Sequence, residues 1–300
     1  MKRIELGRGI ELSQIIYGMW RLGDDADTST KHVQAKIESC LDQGISSFDQ
    51  ADIYGGYASE AILGAALKAT PALRKRMEII TKCDIMLLGD QFPDRRVKYY
   101  DTSAAHINAS VDRSLTNMAI EHIDLLLIHR PDPLMDHNET GKALDQLVQS
   151  GKVRGIGVSN FMSHDWALLQ SAMTEPLLTN QLEISLLNSD YLIDGTIADL
   201  QRKEIHPMAW SPLGGGQLFK PADARLQALH NALEQIAQEQ SVDVSAVAVA
   251  WLLKHPSGIL PVMGTNNLER IANLGKAATV NLTREQWYVL YECANGHEVP

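Results

Sequence analysis

Leu125-Leu126-Leu127-Ile128 is an unbroken aliphatic run ahead of a histidine, and short apolar runs of this kind recur along the chain. They fall at Ile15–Trp20, Ser46–Ala51, Met77–Lys82, Ile123–His129, Val153–Ser159, Leu178–Glu183, His206–Ser211 and Ile259–Gly264. Several are near-continuous rather than alternating, which is the pattern of parallel strands covered on both faces. Helix-like stretches lie between them: Thr30–Gln43, Ser59–Ala69, Thr102–Asn117, Glu139–Ser150, Ser163–Met173, Gly195–Lys203 and Leu268–Lys276. Eight such alternations fit a closed (β/α)8 TIM barrel better than an open sheet. No Gly/Ser-rich or Pro-rich linker divides the 300 residues, so the whole chain, 1–300, reads as one α/β barrel domain.

The spacing lengthens in two places, which predicts long loops on the carboxyl side of the strands, where substrates are usually enclosed. One is the 84–101 segment; the other is the Gly214–Pro221 loop with extra helices Ala224–Glu239 and Asp243–Lys254. A last helix, Thr283–Ala294, is expected to cover part of the barrel.

Four ionisable side chains then stand out, because each sits at or just past the end of one of these strands: Asp49, Tyr54, Lys82 and His129. Burial alone would reject such groups, so polar residues closing apolar strands suggest positioned chemistry. Taken singly, each has an ordinary reading: a packed tyrosine, a solvated lysine, a hydrogen-bonded structural histidine. Adjacent barrel strands lie roughly 5 Å apart, which makes an Asp49–Lys82 bond geometrically reasonable. An ammonium held there would lower the Tyr54 pKa, and a tyrosine so tuned could protonate a carbonyl oxygen as hydride reaches the carbon. His129 would orient the substrate or relay a proton.

Competing chemistries have weaker support. The ten histidines show no HxH or HExxH spacing, and Lys82 would repel a divalent cation, so no metal is expected. Gly155-Ile156-Gly157 lies inside a strand, and Gly214-Gly215-Gly216 opens no clear helix, which argues against a Rossmann nucleotide site. Cys83 should point away from Lys82, into the helix layer. A net charge of −10 with no basic cluster makes nucleic acid and anionic membrane surfaces poor partners. Cys40, Cys83 and Cys293 form no CxxC pair, Met1–Leu12 has no signal-peptide core, and Ala246–Leu253 is far too short to span a bilayer. A cytoplasmic, monomeric protein is the expectation.

Gly44…Phe48-Asp49…Ala51…Tyr54-Gly55 and Gly151-Lys152-Val153-Arg154…Gly157-Val158-Ser159-Asn160-Phe161 resemble the two signatures of the aldo-keto reductase family. The likeness runs through essentially the whole chain. The Ile128-His129-Arg130-Pro131-Asp132-Pro133 stretch resembles its bacterial YdhF-type oxidoreductases. The resemblance implies NADP(H) bound across the carboxyl rim, with Asp49, Tyr54, Lys82 and His129 as the catalytic tetrad. It implies a nicotinamide carboxamide held by Ser159, Asn160 and Gln181, and a ring stacked on Trp210, where members usually carry tyrosine. Ser211, Leu213 and the glycines beyond would form the pyrophosphate strap. Gly264, Thr265 and Arg270 would meet the adenosine end, with Arg270 forking onto a 2′-phosphate. Asn266, Asn267, Asn273 and Leu274 depart from the usual residues there, leaving the preference for NADPH largely to Arg270. Trp20 would line the substrate pocket together with Tyr54 and His129.

The function expected is reduction of a small-molecule aldehyde or ketone with NADPH. The rivals are a cofactor-sensing regulatory subunit of the same fold and a barrel lyase using Lys82 as a Schiff base. The physiological carbonyl is not legible in the sequence.

Overall fold

The computed structural model describes residues 1–89 and 92–300 and opens with an antiparallel hairpin, β1 (Arg3–Gly7) and β2 (Ile10–Ser13). Eight strands follow: β3 (Ile16–Gly18), β4 (Ser47–Asp49), β5 (Glu78–Cys83), β6 (Leu125–Ile128), β7 (Ile156–Ser159), β8 (Leu177–Glu183), β9 (Met208–Trp210) and β10 (Leu260–Met263). They pair in parallel in chain order, and β10 returns to β3 to close the barrel. Each lies within one of the eight apolar runs or differs from it by a residue at an end, so the expected α/β barrel is the fold.

Two hydrophobic cores result from the strand pleat. The inner one fills the barrel lumen with Ile16, Ile80, Leu125, Leu127, Leu178, Met208, Leu260 and Val262. The hairpin, to which the sequence reading assigned no structure, joins this core through Ile4, Leu6, Ile10 and Leu12. The outer core lies between strands and helices, and Cys83 packs there with Ile107 and Val111. Lys82 and Cys83 therefore face opposite layers, as strand alternation requires.

Helices cover the outside. Thr30–Leu41 starts behind Ser29, whose side chain accepts the His32 N–H, and His137–Gln149 starts behind Asp136 in the same way. The expected helix Leu268–Lys276 breaks into Leu268–Ile271 and a 3-10 turn, Leu274–Thr279. Gln43 explains the break: its side-chain oxygen takes the Gly275 N–H at 2.8 Å, in place of a helical carbonyl. The last helix, Arg284–Asn295, packs on Ala224–Gln240 and on Val244–Leu253 rather than on the strands. Trp251 and Trp287 stack there at 4.8 Å, and each indole N–H donates to the other residue's carbonyl.

The long segment after β5 carries a two-residue ribbon, Ile85–Met86 with Tyr99–Tyr100. Asp90 and Gln91, within that expected insertion, lie outside the described residues. Among the described residues, no helix is long and apolar enough to cross a membrane.

Candidate active site

The register of β3, β4 and β5 brings the first three candidates together. Asp49 lies opposite Ile80 of β5, so Lys82, two residues on, projects from the same face one step higher. Lys82 Nζ reaches Asp49 Oδ1 at 2.8 Å and Oδ2 at 2.7 Å, the Gln50 carbonyl at 2.8 Å and the Tyr54 hydroxyl at 3.0 Å. Asp49 and Lys82 are buried. Tyr54 is delivered by a sharp turn in which Gly55 and Gly56 both take positive φ, +58° and +61°. Gly55 is required twice over: a Cβ there would also stand 2.7 Å from Ser59 Oγ and 3.0 Å from the Gly23 Cα.

Burial is the largest influence on the Lys82 ammonium and opposes it, but the Asp49 carboxylate and the Tyr54 oxygen together outweigh that cost and hold the lysine above its ordinary pKa. A lysine kept charged in this way is a poor Schiff-base nucleophile. The Tyr54 phenol corrects the sequence expectation. Burial pushes its pKa up, the Lys82 charge pulls it back only in part, and the net direction is upward. Lys82 thus makes the phenol more acidic than burial alone would leave it, not more acidic than tyrosine in water.

His129, one residue past β6, packs edge-on to Tyr54 with ring centroids 6.1 Å apart. Burial pushes its pKa well below the usual value, and the Lys82 and Arg130 charges add to that, so the imidazole stays neutral. Its Nδ1 is buried with no hydrogen-bond partner.

The next strand ends extend this arrangement. Gln181 Nε2 donates to Asp49 Oδ1 at 2.8 Å, crossing the barrel mouth. Ser159 Oγ donates to the Gln181 carbonyl at 2.8 Å. Asn160, with φ +62°, donates to Ser159 Oγ at 2.8 Å and to the His129 carbonyl at 3.2 Å. Its side-chain oxygen accepts the Trp210 indole N–H at 3.0 Å. Asp49, Lys82, His129, Asn160, Ser159 and Gln181 are therefore linked, partly through main-chain groups, into one continuous network.

A cavity of about 480 Å³ opens beside that network. Arg130, Glu183, Asn188, Tyr191, Tyr100 and Trp210 are among its walls, and the Arg130 guanidinium sits 5.6 Å from the Trp210 ring centroid. Glu183 was detectable in the sequence, since it follows Gln181 by two residues on the same strand face. Asn188 lies on an isolated bridge with Ser185 and Tyr191 in a three-residue 3-10 turn, Asp190–Leu192, elements too short to leave a periodic signal. Trp20 is 58% exposed with Arg21 stacked over it, and neither it nor Tyr54 nor His129, the three residues expected to line the substrate pocket, is among these walls.

Farther along the rim, Ser211 and Gly214–Gly216 all have positive φ, and the space above Gly215 and Gly216 is open. Bare main chain of this kind can approach a phosphate closely. At the end of the neighbouring strand, β10, the Gly264 carbonyl accepts from Arg21 at 3.3 Å and the Thr265 carbonyl from the Tyr17 hydroxyl at 2.8 Å. Arg270 is exposed, and among the described residues its guanidinium makes no ion pair. An aromatic face, an open glycine strap and a solvent-facing arginine thus lie in sequence along the rim, and they fit an extended dinucleotide.

A lumen-filled barrel with a buried acid and lysine beneath a half-buried tyrosine at its carboxyl mouth defines a class of carbonyl-handling oxidoreductases. The chain belongs to the Aldo/keto reductase family, whose pattern it matches over residues 14–295. It is 59% identical over 299 residues to a 6-dehydroglucose reductase of Agrobacterium fabrum, covering 100% of both chains. It is 45% identical to the oxidoreductase YdhF of Escherichia coli, over 98% of this chain and 97% of that one. A thermostable aldo-keto reductase, Tm1743, solved with the inhibitor epalrestat, superposes with a TM-score of 0.82 at 25% identity, covering 98% of this chain and 100% of that one. The protein is an oxidoreductase enzyme, and members of its family use a nicotinamide cofactor.

Proposed function

We propose that this enzyme reduces an aldehyde carried on a polyhydroxylated, sugar-like molecule, using NADPH. The observation that carries the reading is the 3.0 Å contact between the Tyr54 hydroxyl and a lysine locked in its charged form by Asp49. The bound nicotinamide supplies the hydride. Tyr54 gives its phenolic proton to the carbonyl oxygen, and the phenolate left behind is stabilised by Lys82 at 3.0 Å. Asp49 keeps that ammonium in place, and Gln181 restrains Asp49 from across the mouth. Neutral His129 can donate a hydrogen bond to the same carbonyl oxygen and aim it at Tyr54. A positioned general acid of this kind contributes about 10²–10⁴ in rate.

For the cofactor, the reading assigns the carboxamide to Ser159, Asn160 and Gln181 and the ring face to Trp210. The pyrophosphate goes to Ser211, Leu213 and the strap that follows. The adenosine end goes to Gly264, Thr265 and Arg270, with Arg270 as the residue that prefers a 2′-phosphate. The carboxamide groups already hold one another, so a ligand there exchanges bonds, which favours selectivity over affinity. Arg130, Glu183, Asn188 and Tyr191 supply donors and acceptors for substrate hydroxyls, in keeping with the 6-dehydroglucose named for the 59% identical relative.

The test is NADPH oxidation, with NADH in parallel, against 6-dehydroglucose, simple aldehydes, ketones and quinones. The expected result is the highest kcat/KM for the sugar aldehyde with NADPH. Equal rates with an unsubstituted aldehyde would remove the sugar from the reading, and no oxidation with any carbonyl would remove the reductase.

A further inference from the structure

Asp84 follows β5 directly, and no step above uses it. Its side chain is fully buried, and its φ of +109° lies in a region that glycine favours. A non-glycine residue persists in such a conformation only when its surroundings hold it there, and such residues gather at functional sites. Asp84 Oδ2 accepts the Arg130 N–H at 2.9 Å, its carbonyl accepts the Asp101 N–H at 2.8 Å, and among the described residues Oδ1 has no partner.

The chain around His129 is consequently gripped on several sides. The Cys83 carbonyl accepts the His129 N–H at 3.0 Å, Asp84 takes the next N–H, and Asn160 donates to the His129 carbonyl at 3.2 Å. The imidazole is in the opposite situation, since its Nδ1 is unpartnered and its Tyr54 contact is an edge-on ring contact. A ring whose buried Nδ1 has no partner among the described residues is aimed by its main chain. The same peptide carries Arg130, whose guanidinium lines the cavity.

We propose that Asp84 is a positioning residue for the carbonyl subsite: its carboxyl latches the main chain at Arg130 and so aims the His129 ring and the Arg130 guanidinium at the substrate. This rests on the reductase reading above. It adds a residue that touches neither substrate nor cofactor, acting from behind the barrel wall.

Two variants of the full chain test it. Asp84→Gly keeps the backbone conformation and deletes the latch, whereas Asp84→Asn keeps an acceptor of the same shape. Asp84→Gly should lower kcat/KM for the aldehyde at least about tenfold, since ångström-scale misplacement can cost about 10². NADPH affinity, read by fluorescence, should stay within about twofold in both variants. Asp84→Asn should recover most of the lost activity. Three results overturn the proposal: wild-type kcat/KM in the glycine variant, an asparagine variant as impaired as the glycine one, or a glycine variant that does not fold. Should the wild-type enzyme reduce no carbonyl at all, the functional reading fails separately. The latch is then judged by the His129 ring signals in ¹⁵N NMR: changed in Asp84→Gly and kept in Asp84→Asn supports it, unchanged in Asp84→Gly overturns it.

Discussion

Around Tyr54 the polar groups are mostly buried and held by other polar groups, whereas the segment from Gly264 to Arg270 carries its polar side chains largely in the open. At the first place, Lys82, Asp49 and Gln181 fix one another through side-chain bonds of 2.7–2.8 Å. At the second, the chain is held mainly through its carbonyls, by Tyr17 and Arg21, with Lys36 reaching Asn266 from behind. Buried ion pairs leave little room for change, because removing one partner strands the other in low dielectric. Exposed loop residues can change at small cost to stability. On the proposed reading, the chemistry sits in the rigid part and the choice of dinucleotide in the adjustable one.

Four substitutions probe this contrast. The largest effect belongs to Tyr54→Phe, which should cut turnover by at least about 10² while leaving NADPH affinity nearly intact. Cofactor affinity falling along with turnover would make Tyr54 a structural residue and blur the two regions. Lys82→Met comes next: it strands the Asp49 carboxylate and should cost about 3–5 kcal/mol in denaturant unfolding, besides activity. A loss below about 1 kcal/mol would mean that the buried pair behaves like a surface one.

Arg270→Ala should weaken NADPH binding by about tenfold, the worth of one charge-assisted contact, and leave NADH binding and stability unchanged. Equal loss for both cofactors would take Arg270 out of its assigned role. Asp52→Asn gives the smallest effect and concerns the ground just behind the rigid region. Burial pushes the Asp52 carboxyl up to about 7, although Ser110 donates to it at 2.8 Å. Because the folded state binds this proton more tightly than the unfolded chain, the group costs stability. That cost is absent below the ordinary value of 3.8, grows as pH rises toward about 7, and stays constant above it. The asparagine variant should therefore be about 1–2 kcal/mol more stable than wild type at pH 8 and no more stable near pH 4. A pH-independent difference would show that Asp52 is not the titrating group.

The barrel was legible because parallel strands need apolar residues on both faces, and eight such runs stand in plain view. The meeting of Asp49, Tyr54, Lys82 and His129 was legible because all four stand at or just past the ends of those runs. What stayed hidden depends on depth and on partners. No sequence pattern states how much of Tyr54 is withdrawn from water, and that loss of water decided the direction of its pKa. Lys36 looks like an ordinary helix-face lysine until Asp25 and Asn266 are found beside its fully buried side chain. The hairpin did carry a signal, with Ile4, Leu6, Ile10 and Leu12 placed around Gly7-Arg8-Gly9. Ser159 and Asn160 were found by resemblance, but their bonds to Gln181, His129 and Trp210 follow from strand register that only coordinates supply.

The hairpin that stoppers the lumen has one more effect. Ile4, Leu6, Ile10 and Leu12 pack with the lumen side chains and so plug the floor of the cylinder. On the proposed reading, reactant, product and the proton that recharges the phenol after each cycle all pass the same doorway. An inhibitor lodged in that doorway halts every one of these movements at once, and a peptide fused ahead of Met1 emerges at the far pole, out of their path.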